Sequence, residues 1–186
     1  LIGRKIAATF GVNAGGTKKN LKSAVTVAKE KPDTYLQKFP LVLSTLSLIA
    51  LIFAVFQIGT LDYTKENFTI RSIALIIYLI STWFQVWTSK KLGKNYSQEV
   101  LIYRSHNLVT SGPFKFIRHP QYLSQIIIDI AGGIASLGYI VILIALIEIP
   151  FLIMRAKLEE KLLLKYFKEV FINYKKKSGF MIPFIG

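Results

Sequence analysis

The chain alternates between long apolar runs and short segments rich in lysine. Residues 41–59 contain no charged side chain and are long enough to cross the ~30 Å hydrocarbon core of a bilayer as a helix. Residues 70–87 predict a second crossing, with Arg71 near one end and Trp83 and Trp87 placed as in an interfacial aromatic belt. The pattern therefore predicts helices in a membrane rather than a soluble core.

A third apolar run, residues 123–154, is too long for one crossing and short for two full ones. Basic residues flank it on both sides, so both of its ends are expected on one side of the membrane and the run must turn back. The expected packing and turning points are Gly132, Gly133 and Gly138. The run also contains two acids, Asp129 and Glu148. Their role is either functional or structural, through interhelical hydrogen bonds or a position near the turn.

Residues 156–177 predict a helix of another kind, apolar along one arc and rich in lysine on the opposite one. Such a helix can lie on the membrane or cap the two hairpins. Glu159 falls at the centre of the apolar arc and Glu160 near its edge. A carboxylate there is unfavourable unless a cationic group meets it, which makes this pair the first sign of a site.

The fold class is accordingly all-α: a multi-pass integral membrane protein with two helical hairpins and a C-terminal amphipathic helix that caps a pocket on the cytoplasmic side. We divide the chain into a basic N-terminal segment (1–40), a first transmembrane hairpin (41–91) and a C-terminal region (92–186). The basic flanks place the N-terminal segment, the site and the C-terminus in the cytoplasm. Because the first residue is leucine, the start of the protein is expected to be missing, and Leu1-Ile2 fits the end of an earlier span.

Composition narrows the class of protein further. The 186 residues are 52% hydrophobic and carry a formal charge of +14. The basic residues border the apolar runs instead of forming a stripe on a polar domain, so we predict no nucleic-acid partner. The absence of cysteine excludes disulfides, thiolate zinc ligands and cysteine nucleophiles, and we predict no metal site. The oligomeric state is left open.

Both histidines of the chain lie in one polar stretch, residues 105–122. Gly112-Pro113 and His119-Pro120 interrupt regular structure there and leave backbone groups available to a ligand. Taken singly, His119 fits a helix cap and Arg118 a membrane-edge anchor. Together, ahead of an apolar hairpin that leads to Glu159 and Glu160, they indicate a site.

The pattern Arg118-His119-Pro120-x-Tyr122, an apolar hairpin and then Glu159-Glu160 resembles the isoprenylcysteine carboxyl methyltransferase family. That family shares this C-terminal signature with phospholipid N-methyltransferases. The resemblance covers roughly residues 90–183 and includes residues 92–96, residues 106–112, Arg155, Phe167, Tyr174 and Ile182-Pro183.

The resemblance implies S-adenosylmethionine as the methyl donor and S-adenosylhomocysteine as the product. It implies that residues 92–186 are the catalytic region and that the pocket capped by the C-terminal helix is a cytoplasmic-side cofactor pocket. It implies that Glu159 pairs with the ammonium group of the donor and that Arg155 orients the acceptor or its carboxylate. We take Arg155 and Glu160 as the catalytic candidates. The implied cofactor-binding set is His106, Leu108, Val109, Phe114, Arg118, His119, Pro120, Gln121, Tyr122 and Glu159.

Three departures from the family pattern bear on the site. Phe114 stands where a tyrosine is usual, which removes a hydroxyl contact. Ser124 replaces a glycine two residues after the motif tyrosine, a mild steric change. Lys168 and Phe171 replace the glycine and tyrosine of the usual Phe-Gly-x-x-Tyr, so the end of the last helix is expected to pack differently.

The implied reaction is methylation of the carboxylate of a prenylcysteine-type or other lipid-tailed acceptor, with membrane lipids as further partners. A carboxylate is already ionised at pH 7 and needs no base, whereas an amine must first lose a proton. Methylation of a phospholipid, amine or thiol is the alternative, with Glu160 and His119 as candidate bases. An alternative of another class is an NADPH-dependent membrane reductase, because sterol reductases carry a similar motif. A non-enzymatic adaptor is the third reading.

Overall fold

The computed structural model describes residues 28–103 and 106–186, which are mostly helical. Two short strands, β1 (Ala28–Glu30) and β2 (Ile102–Tyr103), pair antiparallel. The sequence predictions for residues 1–27 and for Ser105 lie outside the described residues. The four α-helices are α1 (Phe39–Val55), α2 (Phe68–Leu92), α3 (Pro120–Ser136) and α4 (Tyr139–Lys175), with 3-10 helices at Tyr35–Gln37, Gly93–Asn95 and Gly112–Lys115.

Three stretches of the described chain are long and apolar enough to cross a membrane: Tyr35–Val55, Phe68–Asn95 and Tyr139–Lys175. This agrees with the prediction of an all-helical membrane protein. The predicted spans at 41–59 and 70–87 correspond to α1 and α2. However, α1 ends before Gly59, because Gln57 and Gly59 adopt positive φ angles of 60° and 71° that a helix does not accommodate.

The third apolar run forms α3 and the first part of α4, joined at Leu137 and Gly138. Gly138 lies at the turn. Gly133 allows α3 to approach α4 closely, since a Cβ atom there would lie 2.5 Å from Ile142 Cδ1. The predicted break between this run and the amphipathic helix is wrong, because α4 continues past Met154 and is kinked only further along, at Lys168 (φ 43°, ψ −120°). The residues that follow are good helix formers, and nothing there ends the helix.

The helices pack in the pairs α2–α3, α1–α4 and α3–α4. Polar side chains connect them inside the bundle. The Ser47 hydroxyl donates to Asp129 Oδ1 at 2.8 Å, the Gln125 amide donates to Asp129 Oδ2 at 2.7 Å, and Ser44 hydrogen-bonds with Glu148. Asp129 and Glu148 therefore hold α1, α3 and α4 together. These contacts favour interhelical hydrogen bonding as the role of the two acids.

The two ends of the bundle are closed by different contacts. At one end, the Tyr63 hydroxyl donates to the carbonyls of Ala54 and Ser136, and Arg71 Nε donates to the Ala135 carbonyl at 3.0 Å. At the other end, residues 28–38, which we call the strap, lie with the 96–103 loop against the second half of α4. This end carries the site predicted from the sequence.

Candidate functional site

The 106–119 segment is attached to the last residues of the described chain, 178–186, which we call the tail. The backbone N–H groups of Arg118 and His119 donate to the carbonyls of Gly179 and Phe180 at 2.8 and 3.1 Å. The Gly179 N–H donates to the Phe116 carbonyl at 2.9 Å. Gly112, with φ 63°, Pro113 directly after it and Pro120 just beyond the end of the segment keep these residues out of a regular α-helix, so their backbone groups are available for these bonds.

Arg118 and Glu160 satisfy each other. Arg118 Nε lies 2.5 Å from Glu160 Oε1, and the side chain of Arg118 is 2% exposed. The guanidinium also donates to the carbonyls of Lys175 and Ser178. Lys175 Nζ contacts the other oxygen of Glu160 at 2.9 Å. This network ties the motif to α4 and to the tail.

His119 lies between the two glutamates. Its Nδ1 is 3.7 Å from Glu159 Oε2 and its Nε2 is 3.4 Å from Glu160 Oε1. The ring stacks on Tyr122 with centroids 5.7 Å apart and meets the Phe180 ring edge-on at 4.9 Å. His119 is therefore fixed by aromatic contacts on both sides, with its nitrogens directed at carboxylates.

Glu159 faces a group of ring-bearing side chains. It acts electrostatically on His106 and interacts with the Tyr122 hydroxyl, besides its contact with His119. Burial lowers the pKa of His106, and the charge of Glu159 partly opposes that shift. The side chain of Glu159 is 40% exposed. Within residues 28–103 and 106–186, Glu159 has no lysine or arginine at ion-pair distance.

Arg155 lies one helical turn before Glu159 and is buried, with 4% exposure. Its Nη1 donates to the Gln37 carbonyl at 3.4 Å and its Nη2 donates to the Gln98 carbonyl. It also interacts with the Tyr122 hydroxyl. Among the described residues, its Nε makes no hydrogen bond and no carboxylate lies at ion-pair distance. Within the described residues, the guanidinium is thus held by neutral oxygen atoms, those of the two carbonyls and of the Tyr122 hydroxyl.

The other predicted pocket residues take less direct positions. Leu108 and Val109 are half-buried in the irregular stretch before the 3-10 helix. Phe114 is buried, and its carbonyl accepts a hydrogen bond from the Tyr174 hydroxyl at 2.5 Å. Pro120 starts α3, and the Gln121 amide donates to the Ser89 hydroxyl of α2 at 2.8 Å. Hence Gln121 is engaged with α2.

Sequence reasoning missed the groups that hold the charged residues in place. Lys175 and the tail carbonyls support Arg118 and Glu160, while Gln37 and Gln98 support Arg155. Most of these contacts join residues far apart in the chain, and backbone carbonyls leave no trace in the sequence. Lys175 gave no signal either, because it lies four turns after Glu160, about 22 Å along a straight helix, and non-helical backbone at Lys168 lies between them.

Comparison with known proteins agrees with this architecture. Residues 73–165 match the model of the isoprenylcysteine carboxyl methyltransferase (ICMT) family. The protein-S-isoprenylcysteine O-methyltransferase of Schizosaccharomyces pombe is 30% identical over 142 residues, covering 74% of this chain and 54% of the relative. The enzyme of the same name from Saccharomyces cerevisiae is 35% identical over 81 residues, covering 43% of this chain and 34% of the relative. The chain thus spans about half, or less, of these relatives.

The fold is also similar to a solved structure. The eukaryotic intramembrane Ras methyltransferase ICMT superposes with a TM-score of 0.59 at 22% identity, covering 77% of this chain and 52% of that one. At this identity the likeness concerns the fold alone, and it supports an integral membrane protein. Because the family model matches half of the sequence and the S. pombe enzyme is 30% identical over 74% of it, the chain belongs to the isoprenylcysteine carboxyl methyltransferase family.

Proposed function

We propose that the chain is an S-adenosylmethionine-dependent membrane methyltransferase that methylates the carboxylate of a prenylcysteine-type or other lipid-tailed acceptor. One observation carries the proposal. Glu159 and Arg155 lie one turn apart on α4, and both face the Tyr122 hydroxyl. In the described part of the chain, Glu159 has no lysine or arginine at ion-pair distance, and Arg155 has no carboxylate there. An anionic and a cationic group are thereby available side by side.

The surroundings of Glu159 fit the methyl donor. A partly exposed carboxylate that has no lysine or arginine partner among the described residues complements an ammonium group, and the nearby rings of His119 and Tyr122 offer faces to a cation. When bound, S-adenosylmethionine supplies an electrophilic methyl group on a sulfonium that carries its own leaving group. We assign Glu159 to binding the ammonium, with His106, His119 and Tyr122 around it.

The surroundings of Arg155 fit an acceptor carboxylate. A guanidinium recognises a carboxylate through two parallel N–H bonds, and the two backbone carbonyls fix its plane without neutralising its charge. The role of Arg155 is to hold the acceptor oxygen in line with the methyl group. Positioning of this kind is worth up to ~7–11 kcal/mol of a reaction barrier.

The contacts of Glu160 favour carboxyl methylation over the amine alternative. An amine acceptor requires a base to remove its proton. Glu160, one of the two candidates from the sequence, is held by Arg118 and Lys175, so we propose a structural role for it. Because a carboxylate acceptor needs no base, the remaining charged groups suffice for its methylation.

We place the site at the cytoplasmic edge of the membrane. Lysines follow α2 and occupy the second half of α4 at this end, as expected for a cytoplasmic face. In this orientation a polar donor reaches Glu159 from water, while an acceptor with a lipid tail arrives through the bilayer. The distribution of exposed apolar side chains on α1 and α2 suits contact with lipid.

Transfer of labelled methyl groups tests the proposal. Purified protein in lipid nanodiscs receives labelled S-adenosylmethionine and one of three acceptors: an S-farnesylcysteine derivative with a free carboxylate, its amide, or phosphatidylethanolamine. We expect a base-labile ester on the free acid alone. Methylation of phosphatidylethanolamine instead would favour the amine alternative. Calorimetric binding of NADPH without binding of S-adenosylhomocysteine would favour the reductase, and binding of neither an adaptor.

A further inference from the structure

The strap, residues 28–38, is attached to the site end of the bundle by several contacts. β1 pairs with β2, and Glu30 accepts hydrogen bonds from Lys165 and Tyr166, both at 2.7 Å. Lys31 forms an ion pair with Glu99 at 2.8 Å. The strap thereby spans the 96–103 loop and the second half of α4, beside Arg155.

Gln37, at the end of the strap, is 4% exposed and uses its whole amide group. Its Nε2 donates to the carbonyls of Val100 and Pro32 at 2.8 and 3.0 Å, and its Oε1 accepts from the Val100 N–H at 2.8 Å. The side chain therefore binds the 96–103 loop as a neighbouring strand would. Loss of the amide would leave these buried backbone groups unsatisfied.

The two carbonyls that hold Arg155 both depend on this amide. One is the backbone carbonyl of Gln37 itself, and the other belongs to Gln98, two residues before Val100. Fixing Val100 to the Gln37 side chain fixes the distance between these two carbonyls. Since they meet separate nitrogens of the guanidinium, their spacing sets the plane in which Arg155 lies.

We propose that Gln37 is a positioning residue, which clamps the strap to the 96–103 loop and so aims Arg155 at the acceptor. The inference rests on the proposed function of Arg155. It makes the strap part of the acceptor site, although the donor side at Glu159 needs no strap residue. Loss of the clamp consequently affects the acceptor and spares the donor.

The test compares Gln37→Met with a matched control, Gln98→Ala. Methionine keeps the length of the side chain without its donors and acceptor. Gln98→Ala removes an exposed side chain but keeps the backbone carbonyl that contacts Arg155. Gln37→Asn, which keeps the amide but shortens the side chain by one methylene group, serves as a milder second variant. All are prepared as full chains in nanodiscs.

Two measurements are made on each variant. The first is the rate at which an arginine-specific dicarbonyl reagent modifies Arg155, followed by peptide mass spectrometry, which requires no enzymatic activity. The second is the KM for the farnesylcysteine acceptor, alongside the Kd for S-adenosylhomocysteine. For Gln37→Met we expect about tenfold faster modification and about tenfold higher KM, in keeping with the loss of the three hydrogen bonds of the amide, and a Kd within about twofold of the original.

Unchanged reactivity of Arg155 in folded Gln37→Met, or an equal rise in Gln98→Ala, would overturn the inference. A parallel rise in the Kd of the donor product would also do so, since it would show general damage to the site. If Gln37→Met does not fold, Gln37→Asn is judged by the same criteria. Failure of the unsubstituted protein to methylate the farnesylcysteine acceptor would count against the proposed function, while the labelling of Arg155 still decides the role of Gln37.

Discussion

The two halves of α4 hold their carboxylates in different ways. In the half that leaves the bundle, Glu160 is bonded to Arg118 and Lys175. In the half inside the bundle, Glu148 meets the Ser44 hydroxyl and the carboxyl group of Asp129. Across the described residues, neither Asp129 nor Glu148 has a basic partner.

This contrast follows from the solvent around each half. At the membrane edge, long basic side chains keep part of their hydration while they neutralise an acid, as the half-exposed Lys175 does. Inside hydrocarbon, an arginine or lysine would itself be unfavourable, so hydroxyls and amides satisfy the acids instead. Glu159 departs from both patterns, because it lies at the edge and, in the described part of the chain, has no lysine or arginine at ion-pair distance. That departure is the reason we propose it as a binding group.

Removing the edge carboxylate Glu160 should have the largest effect on stability. Glu160→Ala leaves the guanidinium of Arg118 buried without its anionic partner, which is expected to lower the free energy of unfolding by about 3–5 kcal/mol. Denaturant unfolding in mixed micelles measures the change. Glu169→Ala, which removes an exposed glutamate of the same helix, is the control and should change stability by less than about 0.5 kcal/mol. A loss below about 1 kcal/mol for Glu160→Ala would contradict the structural role.

Replacing the neighbouring carboxylate should affect binding rather than folding. Glu159→Gln keeps the shape of the side chain but removes the charge proposed to meet the ammonium group of the donor. We expect S-adenosylhomocysteine to bind more weakly by about 1.5–3 kcal/mol, with stability within about 0.5 kcal/mol of the original. Calorimetry and the same unfolding assay report the two quantities. Undiminished affinity would show that Glu159 does not hold the donor.

Replacing an acid inside the bundle should affect folding rather than binding. Asp129→Ala leaves the Ser47 hydroxyl and the Gln125 amide buried without an acceptor, so stability should fall by about 1–3 kcal/mol while affinity for S-adenosylhomocysteine is retained. Asp62→Ala, in the exposed loop between α1 and α2, is the matched control. A variant that is stable but binds the donor product poorly would restore the functional alternative for the intramembrane acids.

Features that depend on neighbouring residues in the chain could be predicted from the sequence. Apolar runs locate α1 and α2, and the helical wheel isolates Glu159 because an acid on an apolar arc needs an explanation. The ends of the helices were harder to predict. Gln57 takes a positive φ without any glycine signal, and α4 continues past Met154 because a change in amphipathicity does not interrupt backbone hydrogen bonds.

The pairing of charges could not be predicted, since it depends on which segments meet in space. Arg118 and Glu160 are both polar residues near a predicted site, and only their contact shows that they satisfy each other. The clamp of Gln37 on Val100 joins residues 63 positions apart, and a buried glutamine carries no local signature. Arg155 could be proposed as a substrate residue from the family resemblance. The carbonyls that hold it could not be predicted, because they too come from distant segments of the chain.

The smallest effect is expected at the kink at Lys168, in the half of α4 that leaves the bundle, where stability should rise. Lys168 adopts φ 43° and ψ −120°, nearly the conformation of Gly93 after α2, which has φ 52° and ψ −120°. A side chain is strained in this region, by about 1–3 kcal/mol, and glycine is not. Lys168→Gly should therefore raise the free energy of unfolding by about 1 kcal/mol after the entropic penalty of glycine, as measured by the same denaturant assay.

Two control variants test this explanation. Lys168→Ala keeps the Cβ atom and should give no such gain. Glu169→Gly, one position on, should lower stability by about 1 kcal/mol, because helical backbone there favours other residues over glycine. If Lys168→Gly were as destabilising as Glu169→Gly, the kink would not be an intrinsic feature of this helix, and the outer half of α4 would be as regular as the half inside the bundle.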